Sequence, residues 1–319
     1  MYQPIFEAVL KLIGLALLGF TLFRIPVMGR RVLKPAIFTV MNILFPLYFL
    51  QRLPLGWEEA VNVGSQWLFI YFIAGFVMIG TQVVIARVLV RGQPLWSHQP
   101  NSMIALFSIH NAGFIPLPIV EALAPPEISI YMFMFVLAFN IILWTAAVSL
   151  VSEGPARFTP KLNPPLIGLI GGVLLANFNL SGYIPHFVRP LLEFSGEYAL
   201  DLMLVMLGAV LATIPRRDLK YRPEFGRLVL LRFVLYPAVF IGIAALLPLH
   251  GLSPSMQWGI RLSLILQAAV PPATNLLLVA KIYGTEKQVH YIGTGILITY
   301  LSAVITLPIF LVLATFLFR

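Results

Sequence analysis

The chain has 319 residues, 60% of them hydrophobic and only 10% charged, with a mean hydropathy of +0.93. A soluble chain carries about 25% charged residues, so this composition excludes a soluble domain and leaves no room for one beside a compact membrane domain. The formal charge of +9 suggests nucleic acid only until the basic residues are placed along the chain, and the absence of cysteine removes disulfide and thiol chemistry.

Apolar stretches of spanning length fall at 5–23, 35–50, 66–90, 101–124, 128–151, 164–180, 190–214, 226–249, 257–280 and 289–318, which predicts ten transmembrane helices. The first stretch lacks the basic leader and small-residue cleavage site of a signal peptide and carries Glu7, so it reads as a retained helix; no motif calls for lipidation. The second holds Asn42 and Pro46, which shape a cavity or serve packing. The third has no acid or lysine in its interior. The fourth is interrupted by His110-Asn111-Ala112-Gly113-Phe114-Ile115-Pro116-Leu117-Pro118.

The polar interruption from Ser152 to Asn163 then divides the chain into two sets of five. Residues 1–151 form a first repeat, 152–163 a cytoplasmic linker and 164–319 a second repeat. An odd number of spans per half forces opposite orientations, the requirement for an inverted repeat. The sixth stretch contains Gly168-Leu169-Ile170-Gly171-Gly172, a GxxxG pattern that permits close helix contact. On the seventh, Glu193, Glu197 and Asp201 are spaced i, i+4, i+8 and share a face. The ninth is interrupted by Val270-Pro271-Pro272-Ala273-Thr274-Asn275.

Charge sets the expected topology. Arg24, Arg30, Arg31, Lys34, Arg87 and Arg91 in the first half, with Arg157, Lys161, Arg216, Arg217, Lys220, Arg222, Arg227, Lys281 and Lys287 in the second, fall on one side. The other side has Arg52, Arg189, Arg261 and Arg319, with Lys11 and Arg232 set aside as intramembrane. The positive-inside rule then places both termini outside and the central linker in the cytoplasm of a plasma or bacterial inner membrane. The basic charge is a topology signal, which leaves no nucleic-acid partner. Trp57, Trp67, Trp96, Trp144 and Trp258 lie mostly towards segment ends, as an aromatic belt does.

Proline inside a membrane helix strips a backbone hydrogen bond, so each interruption must line a cavity or be buried in protein. Pro116 and Pro271 stand in matching places of the two halves, the pattern of an inverted-repeat transporter with its substrate site at broken helices. Asn111 and Asn275 each offer two donors and an acceptor, enough to hold a carboxylate; the bland alternative is that they satisfy backbone freed by proline. Pro116, Pro271 and Thr274 belong to the same breaks. His110 is either a protonatable group or a neutral hydrogen-bond partner, and Gln267 lines the same cavity or pairs with a neighbouring helix. Asp201 is a coupling-proton candidate, against a solvated face at the outer interface. No metal-ligand spacing, P-loop, dinucleotide fingerprint or nucleophile elbow occurs, so the reading is a non-enzyme without cofactor.

These residues resemble the auxin efflux carrier family, especially its bacterial malate or malonate permease-like members. Asn111-Ala112-Gly113-Phe114-Ile115 with Leu117-Pro118, the Asn163-Pro164-Pro165 start, Leu207-Gly208-Ala209-Val210-Leu211-Ala212, Pro271 to Asn275 with Ala280 to Gly284, and Thr306-Leu307-Pro308 carry the resemblance in order. It implies an all-α polytopic membrane protein of ten helices in two inverted five-helix repeats. The broken helices 4 and 9 would cross, a fold shared with sodium/proton antiporters and bile acid symporters. It also implies a secondary transporter of a small organic anion, a scaffold of helices 1, 2, 6 and 7, and a homodimer in membrane lipid. The chain departs from plant members in lacking an acid–lysine pair on its third segment, and from bile acid symporters in lacking the ninth-segment acid that helps form sodium sites. A sodium-coupled symporter or an anion channel is the alternative.

Overall fold

A computed structural model describes residues 3–91, 98–152, 163–214 and 223–319, without the side chains of Arg30 and Arg91. Residues 153–162 of the expected linker, Trp96, Arg157, Lys161, Arg216, Arg217, Lys220 and Arg222 lie outside the described residues. Helices account for nearly all of the rest. They are α1 (Gln3–Leu22), α2 (Leu33–Gly64), α3 (Gln66–Arg91), α4 (Pro100–Ser108), α5 (Pro116–Leu123), α6 (Pro126–Val151) and α7 (Pro164–Asn177). Then follow α8 (Arg189–Ala212), α9 (Pro223–Leu246), α10 (Pro254–Ala269), α11 (Asn275–Tyr283) and α12 (Glu286–Phe318). Among the described residues seven helices, α1, α2, α3, α6, α8, α9 and α12, are long and apolar enough to cross a membrane. The chain is an integral membrane protein.

Local chemistry explains the helix starts. Proline opens α4, α5, α6, α7, α9 and α10, where its missing N–H costs nothing and its fixed φ suits a first turn. Asn163 caps α7 by accepting from Leu166 N at 2.8 Å, and Thr285 with Gln288 forms a reciprocal capping box on α12. Prolines also mark wide turns at the entry of α2 and within α2 and α9. Met28–Val32, Val40–Leu44 and Leu231–Leu235 are π turns, followed by Pro35, Pro46 and Pro237 respectively.

The second apolar stretch, expected to end at 50, continues as helix to Gly64. Arg52 finds partners instead of ending the helix: its guanidinium donates to the Gly196 carbonyl (3.2 Å) and lies 3.8 Å from Glu121, while Glu58 and Glu59 are exposed. Pro54 sits inside this helix without ending it.

Two glycine contacts build one compact body. A methyl on Gly19 of α1 would fall 1.8 Å from the Val205 carbonyl oxygen, and one on Gly208 of α8 would fall 1.8 Å from that of Ala16. On α7, Gly168 and Gly172 receive α2: a methyl there would meet Pro46 Cα at 2.5 Å and the Phe49 carbonyl oxygen at 2.7 Å. Without water to drive association, such close backbone approach is what holds membrane helices together. α8 also packs on α2, so α1, α2, α7 and α8 form one body. The other helices gather around α4, α5, α10 and α11, with α6 on α3, and α9 and α12 on α10.

Candidate functional site

The fourth and ninth apolar stretches are each two helices. α4 ends at Ser108 and α5 begins at Pro116; α10 ends at Ala269 and α11 begins at Asn275. The intervening strands of backbone meet. Asn111 N donates to the Pro271 carbonyl and Ala273 N to the Ile109 carbonyl, both at 2.8 Å, as a single antiparallel bridge between His110 and Pro272. Buried backbone groups freed by the breaks are thus satisfied across the pair. Pro116 and Pro271 are both buried there.

On one side of this pair the ends of α4 and α10 converge on a buried arginine. Arg232 of α9, 0% exposed, donates from Nε to the Val270 carbonyl (2.9 Å) and from Nη1 to that of Phe107 (3.2 Å). Helix C-termini are partly negative, so a fixed cation here neutralises two of them at once. Gln82 of α3 completes the arrangement: its amide oxygen accepts from Arg232 Nη1 (2.7 Å) and the Tyr236 hydroxyl (3.1 Å), and its nitrogen donates to the Ser108 carbonyl (2.7 Å) and to His110 Nδ1 (3.2 Å). His110 Nε2 then donates to Gln267 Oε1 (3.0 Å), whose Nε2 donates to the Ala112 carbonyl (3.0 Å). Each group in this chain has a complementary partner. With the Gln82 amide turned so that its oxygen meets Arg232 and Tyr236, its nitrogen faces His110 Nδ1, an arrangement that the neutral Nε2–H tautomer satisfies.

The opposite side is a small cavity. It is lined by Asn111, Gly113, Phe114, Ala273, Thr274 and Asn275 from the breaks, Met41 and Phe45 from α2, Val136, Phe139 and Asn140 from α6, and Pro165 from α7. The start of α11, the partly positive end of that helix, faces it, whereas α5 contributes no residue to the lining. The two asparagines differ. Asn111 is buried, donates from Nδ2 to the Tyr300 hydroxyl (2.8 Å) and accepts from Phe114 N (2.9 Å). Asn275 is half-buried and makes no side-chain hydrogen bond among the described residues. The cavity measures about 30 Å³, room for a water or two, so any organic acid enters only after its walls part.

The candidates from the sequence divide accordingly. The structure brings Asn111, Thr274 and Asn275 to one cavity, leaves Pro116 and Pro271 buried outside its lining, and places His110 and Gln267 in the hydrogen-bonded chain with Gln82 and Arg232. Asp201 is elsewhere: on α8, half-buried, 2.8 Å from Lys11 of α1, while Glu193 and Glu197 are exposed. Arg232, Gln82, Tyr300 and Glu121 carry polar contacts that sequence reasoning missed. The signal for Arg232 was present, as a lone arginine inside an apolar run. A larger cavity is different in kind: an apolar groove of about 610 Å³ between α1, α8 and α12 that reaches Ile115 and Tyr300. Among the described residues no three histidines or acids gather as a metal site.

Residues 156–311 match the family model Mem_trans, described as a membrane transport protein. The match spans the second break and Arg232 but does not reach the first break. No curated protein matches the chain. The match covers just under half of the chain, and the family so described is one of transporters.

Proposed function

We propose that this protein is a secondary transporter that moves a small organic anion, a carboxylate, by alternating access at the paired proline breaks. The observation that carries the reading is the polarity of the pair. The start of α11 and the Asn275 amide face the cavity, while the ends of α4 and α10 are neutralised on the far side by Arg232. A carboxylate is accepted at such a place by backbone N–H groups and amide donors, with no lysine or arginine in the cavity wall. The absence of a second fixed positive group favours one carboxylate over two.

The packing supports the motion. α1 on α8 and α7 on α2 are the pairings that exchange when the two five-segment halves are swapped, as an inverted repeat requires. In this reading the first half is 1–151 and the second 164–319, and each broken segment crosses once, making ten spans with both termini outside. The body of α1, α2, α7 and α8 is the scaffold, and the remaining helices move against it. Met41, Phe45 and Pro165 contribute the scaffold's side of the cavity, so displacing the bundle opens the wall that now closes it.

The test is thermal stabilisation of the purified protein by a panel of mono- and dicarboxylic acids at two pH values, with Asn275→Ala and Asn111→Ala alongside. A saturable, selective shift that Asn275→Ala loses supports the site. An acid that stabilises wild type and Asn275→Ala equally puts binding elsewhere, and no shift from any acid removes the organic-anion reading.

A further inference from the structure

Glu121 carries no motif that singles it out in the sequence. It sits in the last turn of α5, directly after the first break, and its carboxylate accepts from the hydroxyl of Tyr48 on α2. Arg52, one turn further along α2, brings Nε to 3.8 Å from Glu121 Oε1 while its Nη2 donates to the Gly196 carbonyl of α8. The Arg52 Nε itself is buried without a hydrogen-bond partner among the described residues. Tyr48 is fully buried and packs edge-on against Phe49 and Phe133, so its hydroxyl has little freedom to turn elsewhere. Beside these groups is a cavity of about 320 Å³ lined by Arg52, Glu59, Glu121, Ser129 and Phe133. Ser129 Oγ is buried there without a partner. The cavity reaches Pro126, at the end of the molecule where α5 passes into α6.

We propose that Glu121 is a proton-binding latch between the break-bearing bundle and the scaffold. This rests on the transporter reading above, in which α5 moves and α2 does not. In the deprotonated state the carboxylate ties α5 to α2 through Tyr48 and the Arg52 charge. One proton taken from bulk water through the cavity adds to a carboxylate oxygen. No other bond changes, but the attraction to Arg52 is lost and the hydroxyl of Tyr48 no longer has an anionic acceptor. The contact between the two bodies weakens, so proton binding and bundle movement favour one another.

The surrounding charges set the context. Lys11 on α1 and Asp201 on α8 pair with each other, and both lie near enough to act on the Glu121 charge. Glu127 opens α6, and Glu59 lines the cavity from α2. On α10, Arg261 turns to α9, where its Nε donates to the Ala244 carbonyl. Asp201, the acid that the sequence suggests for coupling, therefore has a dedicated lysine, whereas Glu121 bridges the two bodies.

The chain has no cysteine, so two can be introduced without background. Asn62→Cys on α2 and Ala122→Cys on α5, both exposed, are spin-labelled in the otherwise native full chain in lipid. The distance between them is read from about pH 5.5 to pH 8. The expected result is a titrating shift in the distance distribution that E121Q abolishes, holding the low-pH distribution throughout, and that E121D restores. Asp201→Asn should leave the titration in place. A distance that ignores pH in the otherwise native protein overturns the latch, as does an E121Q protein that titrates unchanged. A titration lost in Asp201→Asn and kept in E121Q also overturns it and moves the proton to the Lys11 pair. A melting temperature for each variant separates misfolding from loss of titration, with E121D as the second variant if E121Q does not fold. This measurement needs no substrate, so its result holds even if no acid stabilises the protein and the anion reading fails.

Discussion

At the first break, Pro116 and Pro118 remove two of the donors that would open α5, and Asn111 spends its side chain on Phe114 N and the Tyr300 hydroxyl. At the second break the prolines come earlier, at 271 and 272. Among the described residues the Thr274 and Asn275 N–H groups reach no backbone carbonyl, and the Asn275 amide remains open to the cavity. Similar motifs thus do different work: the first break closes on itself, and the second leaves donors facing the cavity. A matched pair of motifs need not share a role equally, because what counts is which donors the surrounding fold has already used.

The largest expected effect would break both sides of that comparison together. Arg232→Leu leaves the Phe107 and Val270 carbonyls without their shared donor, while the Gln82 oxygen keeps the Tyr236 hydroxyl. With each buried unsatisfied group costing about 1–3 kcal/mol, stability should fall by about 2–6 kcal/mol. A melting temperature close to wild type would show that Arg232 does not hold the breaks.

Asn111→Ala should cost less, about 1–2 kcal/mol of stability, by freeing Phe114 N and the Tyr300 hydroxyl. The same substitution at Asn275 should leave the melting temperature of the ligand-free protein nearly unchanged and weaken acid binding roughly tenfold, about 1.4 kcal/mol. Chemical denaturation and ligand titration of the two variants side by side would sharpen the contrast. Equal losses of stability would erase it.

His110→Asn should have the smallest effect on pH behaviour. The ring is held neutral between Gln82 and Gln267, so the pH profile of transport should keep its shape while the rate falls through lost hydrogen bonds. A profile that flattens in this variant would return His110 to the proton pathway and argue against the assigned tautomer.

Much of the local structure is legible from residues alone. The apolar runs announce membrane helices because every span must satisfy its own backbone in hydrocarbon, and the proline clusters at 116 and 271 announce interruptions because proline cannot donate. The Gly168–Gly172 pattern announces a close helix contact, and the fold places α2 against it. The second stretch runs past 50 because hydropathy along the chain carries no sign that Arg52 has Gly196 and Glu121 as partners.

The rest is decided by contacts between residues far apart in the chain. Sequence alone determined that the protein lives in a membrane, is helical and is broken at two places, since these follow from composition and backbone chemistry within a few residues. Only the tertiary structure decided that the two breaks pair with each other, that Arg232 neutralises their far side, and that Asn111 is engaged while Asn275 is not. It also decided that Glu121, and not Asp201, bridges α5 and α2. Hydrogen bonds between Asn111 and Tyr300, 189 residues apart, or between Arg232 and Phe107, 125 apart, leave no local signature, because any polar residue in an apolar run satisfies the same hydropathy pattern until its partner is placed.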